Sequence, residues 1–120
     1  MNTGRKTSGG KYHSSKKKSK HRIVGQEISA SLGETKRKLM KGMGGNERAV
    51  ILRTDIVNVK TKNKIEKAEI KNVVETPQNR FLARQNRLLK GAIIETSLGK
   101  AKITNRPSRE GMVNAVLVEE

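Results

Sequence analysis

The sequence predicts an all-β fold: a small closed or nearly closed barrel of short antiparallel strands, with one short helix and a basic N-terminal tail that is disordered on its own. Three observations predict it. About five to seven short β-branched stretches crowd into the part of the chain after the tail, separated by glycine, asparagine and proline turns. Only one segment, opened by Thr76-Pro77, carries helix-start chemistry. Hydrophobic residues make up 32% of the 120-residue chain and aromatics 2%, so any core is small and built from Ile, Val, Leu and Met. Closing such a sheet removes edges that would otherwise pair with another chain.

The first element is the tail, residues 1–22. It carries Arg5, Lys6, Lys11, Lys16, Lys17, Lys18, Lys20 and Arg22 and no acidic residue. Its apolar content is almost nil, and Gly4, Gly9 and Gly10 loosen it. Such a segment buries too little surface to offset its ordering entropy. It is expected to order when threaded along phosphates. Residues 23–120 are expected to form a single barrel-like domain.

Within that domain, Ile28-Ser29-Ala30-Ser31-Leu32-Gly33-Glu34-Thr35-Lys36 echoes Ile94-Glu95-Thr96-Ser97-Leu98-Gly99-Lys100-Ala101-Lys102. Both read Ile-x-x-Ser-Leu-Gly-x-x-Lys. The echo favours a hairpin turning at Leu32-Gly33, over the helix capping box that Ser31 with Glu34 would otherwise suggest. Gly42, Gly44 and Gly45 with Asn46 form a glycine-rich turn. Glycine-rich turns can cradle phosphate, but without Gly-Lys-Ser/Thr this is no nucleotide P-loop. A β-rich run then extends from Ala49-Val50-Ile51-Leu52-Arg53 through Val59. Thr61 to Lys64 turns it back into Ile65 to Val74, with alternation only in part.

Thr76 can cap a helix and Pro77 suits its first position. Arg80, Arg84 and Arg87 follow at spacings of four and three, which places them on one helical face. Phe81, Leu82, Leu88 and Leu89 supply the apolar side, and Gly91, after Lys90, ends the helix. Three strands are expected afterwards, near Ala92–Thr96, Lys100–Thr104 and Met112–Val118. Leu98-Gly99 turns between the first two. Asn105 to Gly111 has turn chemistry and carries Arg106 and Arg109.

Charge decides the class of partner. Lys and Arg number 27 against 11 Asp and Glu, a net +16. A single-sign field of that size calls for a polyanion, and lysines and arginines set on phosphate also release condensed counterions. An anionic membrane surface is the next candidate, but no apolar run approaches the roughly 18 residues of a span. The basic N-terminus has no apolar stretch behind it, so a secretory signal is not expected and a cytoplasmic protein is.

Catalytic sets are absent from the pattern. There is no cysteine, which removes disulfides, thiolate zinc sites and cysteine nucleophiles. His13 and His21 both sit in the tail with no carboxylate nearby. Asp55, Glu66, Glu69 and Glu75 interleave with lysines and read as surface pairs rather than an acid and a base. No enzyme activity, cofactor, metal or small-molecule substrate is expected. With Tyr12 and Phe81 as the only aromatics, a stacking platform for single strands is not expected either. The RNA-binding candidates are the tail cations, Lys36, Arg37, Lys38, Lys41, Asn46, Arg48, Arg80, Arg84, Arg87, Lys90, Arg106 and Arg109. A free chromatin protein or RNA chaperone shares this composition, so composition alone leaves both readings open.

Gly4-Arg5-Lys6-Thr7 with Gly9-Gly10-Lys11, then Gly44-Gly45-Asn46, Leu52-Arg53-Thr54-Asp55 and Asn58-Val59, resemble the archaeal and eukaryotic type of the eighth small-subunit ribosomal protein. The longest stretch of resemblance is Lys90-Gly91-Ala92-Ile93-Ile94-Glu95-Thr96, Leu98-Gly99-Lys100-Ala101, Thr104-Asn105-Arg106-Pro107 and Val113-Asn114-Ala115-Val116-Leu117. The compact length looks archaeal. Lys41 and Met43 stand where relatives often have arginine, and Ser108 where glycine is typical. The resemblance implies an all-β, barrel-like core, a long basic tail, and a structural role in the small ribosomal subunit. It also implies small-subunit ribosomal RNA and neighbouring ribosomal proteins as partners.

Overall fold

Thr54 ends one strand and Ile56 begins the next; across the single residue between them, Asp55, the chain passes from one sheet into another. The computed structural model describes residues 4–13, 17, 19, 21, 25 and 27–118. Strands β4 (Ile56–Lys60), β5 (Ile65–Glu75), β7 (Ile93–Thr96), β8 (Gly99–Ile103) and β9 (Asn114–Leu117) form a closed barrel. Strands β1 (Ala30–Leu32), β2 (Lys36–Lys41), β3 (Glu47–Thr54) and β6 (Arg87–Leu88) form a second sheet in the order β2-β3-β1-β6. One short helix, α1 (Arg80–Arg84), joins β5 to β6. The expected all-β fold, closed barrel and single helix are all present. The strands outnumber the expected five to seven because four of them lie outside the barrel.

Inside the barrel, side chains follow the pleat. Val57 and Val59 of β4, Ile94 and Thr96 of β7, and Ala101 and Ile103 of β8 are buried, while their neighbours along each strand are more exposed. In β5 the buried set is Ala68, Ile70 and Val73, a change of phase. Its cause is a register shift against β7 between Ile70 and Asn72, where one extra residue flips the alternation. This explains the partial alternation of the sequence. The one buried hydroxyl in β7 is used: Thr96 Oγ1 donates to the Gly99 carbonyl at 2.7 Å and accepts from the Leu98 amide at 3.3 Å. That fixes the β7–β8 turn at Leu98-Gly99, with Gly99 at φ +125.

Closure comes from a parallel pairing of β4 with β9, Asn58 opposite Asn114 through Lys60 opposite Val116. The other sheet leans on the same core. Ala30, Ile51 and Leu88 are buried in one cluster with the barrel residues.

Two expectations need correction. The hairpin at Leu32-Gly33 does not form. β3 lies between β1 and β2, pairing parallel with β1 (Ser31 opposite Arg53) and antiparallel with β2 (Leu39 opposite Ala49). Gly33 to Thr35 carry the chain across the end of β3, where Thr35 Oγ1 donates to Asp55 Oδ1 at 3.0 Å. The hairpin of this sheet turns instead at Gly42 to Asn46, with Gly44 at φ +74 and Gly45 at φ +77, where glycine alone is unstrained.

The helix is also shorter than expected. Asn79 caps it, its Oδ1 accepting from the Phe81 amide at 3.0 Å. Thr76 is buried, its hydroxyl donating to the Asn79 carbonyl, and Pro77 precedes the helix rather than opening it. Asn86 at φ +51 ends the helical path, so Arg87, Leu88 and Gly91 lie beyond it and Arg87 does not share a helix face with Arg80 and Arg84.

Between residues 4 and 13 the chain makes a local turn. Arg5 bridges Lys11, the Lys6 amide donates to the Gly10 carbonyl at 2.9 Å, and Gly9 sits at φ +79. Arg5 Nη1 also reaches the Gly9 carbonyl at 2.9 Å.

Core and surface positions should respond differently to the same deletion of a methylene. Ile94→Val, at a fully buried site, is expected to cost about 1 kcal/mol in urea unfolding. Ile65→Val, 71% exposed on β5, is expected to cost less than about 0.5 kcal/mol. Equal losses would contradict the assignment of the barrel interior.

Candidate nucleic-acid interface

The loop after β8 is the best-anchored part of the basic surface. Asn105 holds it from inside. Its Nδ2 donates to the Met112 carbonyl and to Glu110 Oε2, both at 2.7 Å, and its Oδ1 accepts from the Asn114 amide at 3.0 Å. Asn114 Oδ1 in turn accepts from Asn58 Nδ2 at 3.2 Å, across the closing β4–β9 pair. Arg106 to Arg109 is a tight turn with Pro107 second, closed by the Arg109 amide on the Arg106 carbonyl at 3.0 Å. The turn brings its two arginines close together. The loop also docks on β3, whose Ile51 amide donates to the Pro107 carbonyl at 3.2 Å.

Opposite this loop lies β6. Arg87 is half-buried there, and its Nη1 donates to Ser29 Oγ at 2.6 Å. The two walls enclose a cleft of about 600 Å³. Arg87, Lys90, Arg106 and Arg109 line it, so cations from two separate stretches of sequence converge on one place. Leu82, Leu88, Leu89 and Pro107 supply apolar lining, and among the described residues Glu27 is the one carboxylate on its wall.

The remaining candidates lie elsewhere. Lys36, Arg37 and Lys38 are exposed along β2. Lys41 and Arg48 flank the glycine turn, and Lys41 Nζ is 4.0 Å from Glu47 Oε1. Both partners of that pair are exposed, so it contributes little and leaves Lys41 available to a phosphate. Asn46 is exposed and donates from Nδ2 to the Met43 carbonyl at 3.3 Å, which gives it a role in the turn itself. Arg80 and Arg84 are exposed on α1, with the Arg84 guanidinium 5.8 Å from the centre of the Phe81 ring. In the tail, Arg5, Lys6, Lys11 and Lys17 are exposed, and Lys6 Nζ lies 5.8 Å from the Tyr12 ring centre. Lys16, Lys18, Lys20 and Arg22 lie outside the described residues.

Two kinds of contributor escaped the sequence. Arg53 is exposed on β3 opposite Lys36, adding a cation to the β2 row. Its place within an apolar run, in a family-like stretch, was the available signal. Gln85 and Ser29 line the cleft; no local pattern marks them, because the cleft joins segments 58 residues apart, as in the Arg87–Ser29 bond.

Among the described residues, no carboxylate lies within ion-pairing distance of Lys90, Arg106 or Arg109. The same residues contain no group of three or more potential metal ligands, and no helix long and apolar enough to cross a membrane. The arrangement is suited to neutralising phosphate oxygens held by a rigid turn and strand. Asn105→Ala should loosen that turn. The expected result is a loss of about 1–3 kcal/mol in unfolding free energy, with faster amide hydrogen exchange at Arg109 and Asn114. Unchanged exchange at both would show that the turn is held by something else.

Comparison with known proteins places the chain in a family. The family model described as ribosomal protein S8e matches residues 1–118. A small ribosomal subunit protein eS8 from Methanococcus aeolicus is 43% identical over 97% of this chain and 93% of its own length. Its counterparts from Methanocorpusculum labreanum and Haloarcula marismortui are 40% and 39% identical, each over 96% of this chain and 94% of their own length. These are ribosomal proteins rather than enzymes, and the chain belongs to the ribosomal protein S8e family.

Proposed function

We propose that this protein is a structural constituent of the small ribosomal subunit in the cytoplasm, seated on ribosomal RNA beside other ribosomal proteins. The observation that carries the reading is the match along nearly the whole chain to proteins named for that subunit. The surface supports it physically. Cations stand on β2, on the glycine turn, on α1 and around the cleft, while acids are too few to neutralise them.

The barrel acts as the rigid body in this mechanism. Its closed sheet fixes the 105–111 loop, and the cations contact phosphates of neighbouring RNA helices. A-form RNA hides its base edges in a deep, narrow major groove, so these contacts read backbone and shape. Residues 1–22 thread along phosphates as a separate unit, and residues 23–120 fold without them.

Binding of the full chain to small-subunit ribosomal RNA, measured against salt, tests the reading. The chain should prefer that RNA to duplex DNA of equal length. Removing residues 1–22 should leave the barrel folded and flatten the slope of log affinity against log salt by about 0.7–0.9 per lost phosphate contact. Arg106→Ala with Arg109→Ala should flatten it by about 1.4–1.8. Equal affinity for RNA and DNA would favour a free nucleic-acid binder, and unchanged slopes would remove the tail and loop from the interface.

A further inference from the structure

The cleft between β6 and the 105–111 loop is more than a cluster of cations. Phosphate neutralisation needs charge at a surface. It does not need a recess of about 600 Å³ with leucines in its wall. That volume falls in the roughly 300–1,000 Å³ range of small-ligand sites, too small for a duplex and ample for one nucleotide. The lining combines three features. Leu82 and Leu89 are half-buried and present apolar surface over the buried Leu88. Gln85, at the end of α1, is exposed, and its carboxamide has no hydrogen-bond partner among the described residues. Arg106 and Arg109 stand on the opposite wall without a carboxylate partner.

We propose that this cleft takes a single unstacked nucleotide of the bound RNA; the proposal rests on the RNA-binding reading above and adds a base-reading contact to it. The base lies against the leucines. Gln85 offers both a donor and an acceptor to its edge. The flanking phosphates lie on the arginines, whose guanidinium planes can also stack on the base. Bases that leave the stack are the part of an RNA whose edges a protein can reach, and the charge of this rim selects a nucleotide over a neutral apolar ligand. The scarcity of aromatics fits a single-base pocket, since a platform for consecutive bases needs several rings.

The test uses the full chain in two measurements. In the first, the four nucleoside 5′-monophosphates and ribose 5-phosphate are titrated separately while methyl and amide NMR signals are followed. At least one nucleotide should give saturable shifts at Leu82 and Leu89 with base-to-methyl Overhauser contacts, whereas ribose 5-phosphate should give none. Identical scattered shifts for all five probes, or no shift at the leucines, would overturn the proposal. In the second, Gln85→Trp fills the mouth of the cleft from an exposed position without changing charge. It should abolish the leucine shifts and weaken binding to small-subunit ribosomal RNA by about tenfold, with the salt slope unchanged. Undiminished affinity in that variant would sink the pocket while leaving RNA binding intact. Failure of the parent chain to prefer ribosomal RNA would instead strike the underlying reading, and the nucleotide titration would still decide the pocket.

Discussion

Three residue pairs between β4 and β9, Asn58 to Lys60 against Asn114 to Val116, close the barrel. They pair the first and last strands of the barrel, and in parallel, so they cannot form as a hairpin. Without them, β4 and β9 would each present a bare edge, which is a template for unwanted pairing. The side chains follow the same seam. Asn58 bonds Asn114 across it, Asn114 bonds Asn105, and Asn105 holds the loop that carries Arg106 and Arg109. The geometry of the basic cleft therefore depends on barrel closure. A change at the seam would disturb the cleft without touching any of its cations.

The second sheet gives that loop something to rest on. β3 donates its Ile51 amide to the Pro107 carbonyl, and Gly111 packs so close to Ala49 that a Cβ there would lie 3.4 Å from the Ala49 methyl. Ile51 also joins the common core. One element thus serves packing on one side and loop placement on the other. The cations, by contrast, are kept out of the core. Among the described residues the buried polar side chains are those of Thr54, Thr76 and Thr96, each of which makes a local hydrogen bond. Charge and fold are almost independent here: the apolar residues build the scaffold and the cations decorate it.

That independence explains which features were legible in the sequence. The β4–β5 hairpin, the three C-terminal strands and the Leu98-Gly99 turn follow from alternation and turn chemistry alone. The shift between Ile70 and Asn72 does not, because a bulge is set by the partner strand. The run from Ala49 to Val59 reads as one β-rich stretch, and Asp55 divides it between two sheets, a corner set by tertiary contacts with Thr35 and Ile70. Arg80, Arg84 and Arg87 have helical spacing, but Asn86 takes the left-handed conformation that asparagine tolerates, and Arg87 leaves the helix. The echo at Leu32-Gly33 misled because the same short motif meets a neighbouring strand in one place and its own return in the other. The individual cations of the cleft were readable; their convergence was not, since it is made by long-range packing.

The most direct test of the central claim is sedimentation of a tagged copy from cell extract through a sucrose gradient, at low salt and after a high-salt wash. An embedded ribosomal constituent should remain with the small subunit at about one copy per particle in both conditions, because contacts distributed over a rigid body, a loop and a tail do not release together. Loss in the wash, or a spread over DNA and unrelated RNA fractions, would contradict the account and leave the family likeness as a likeness of fold.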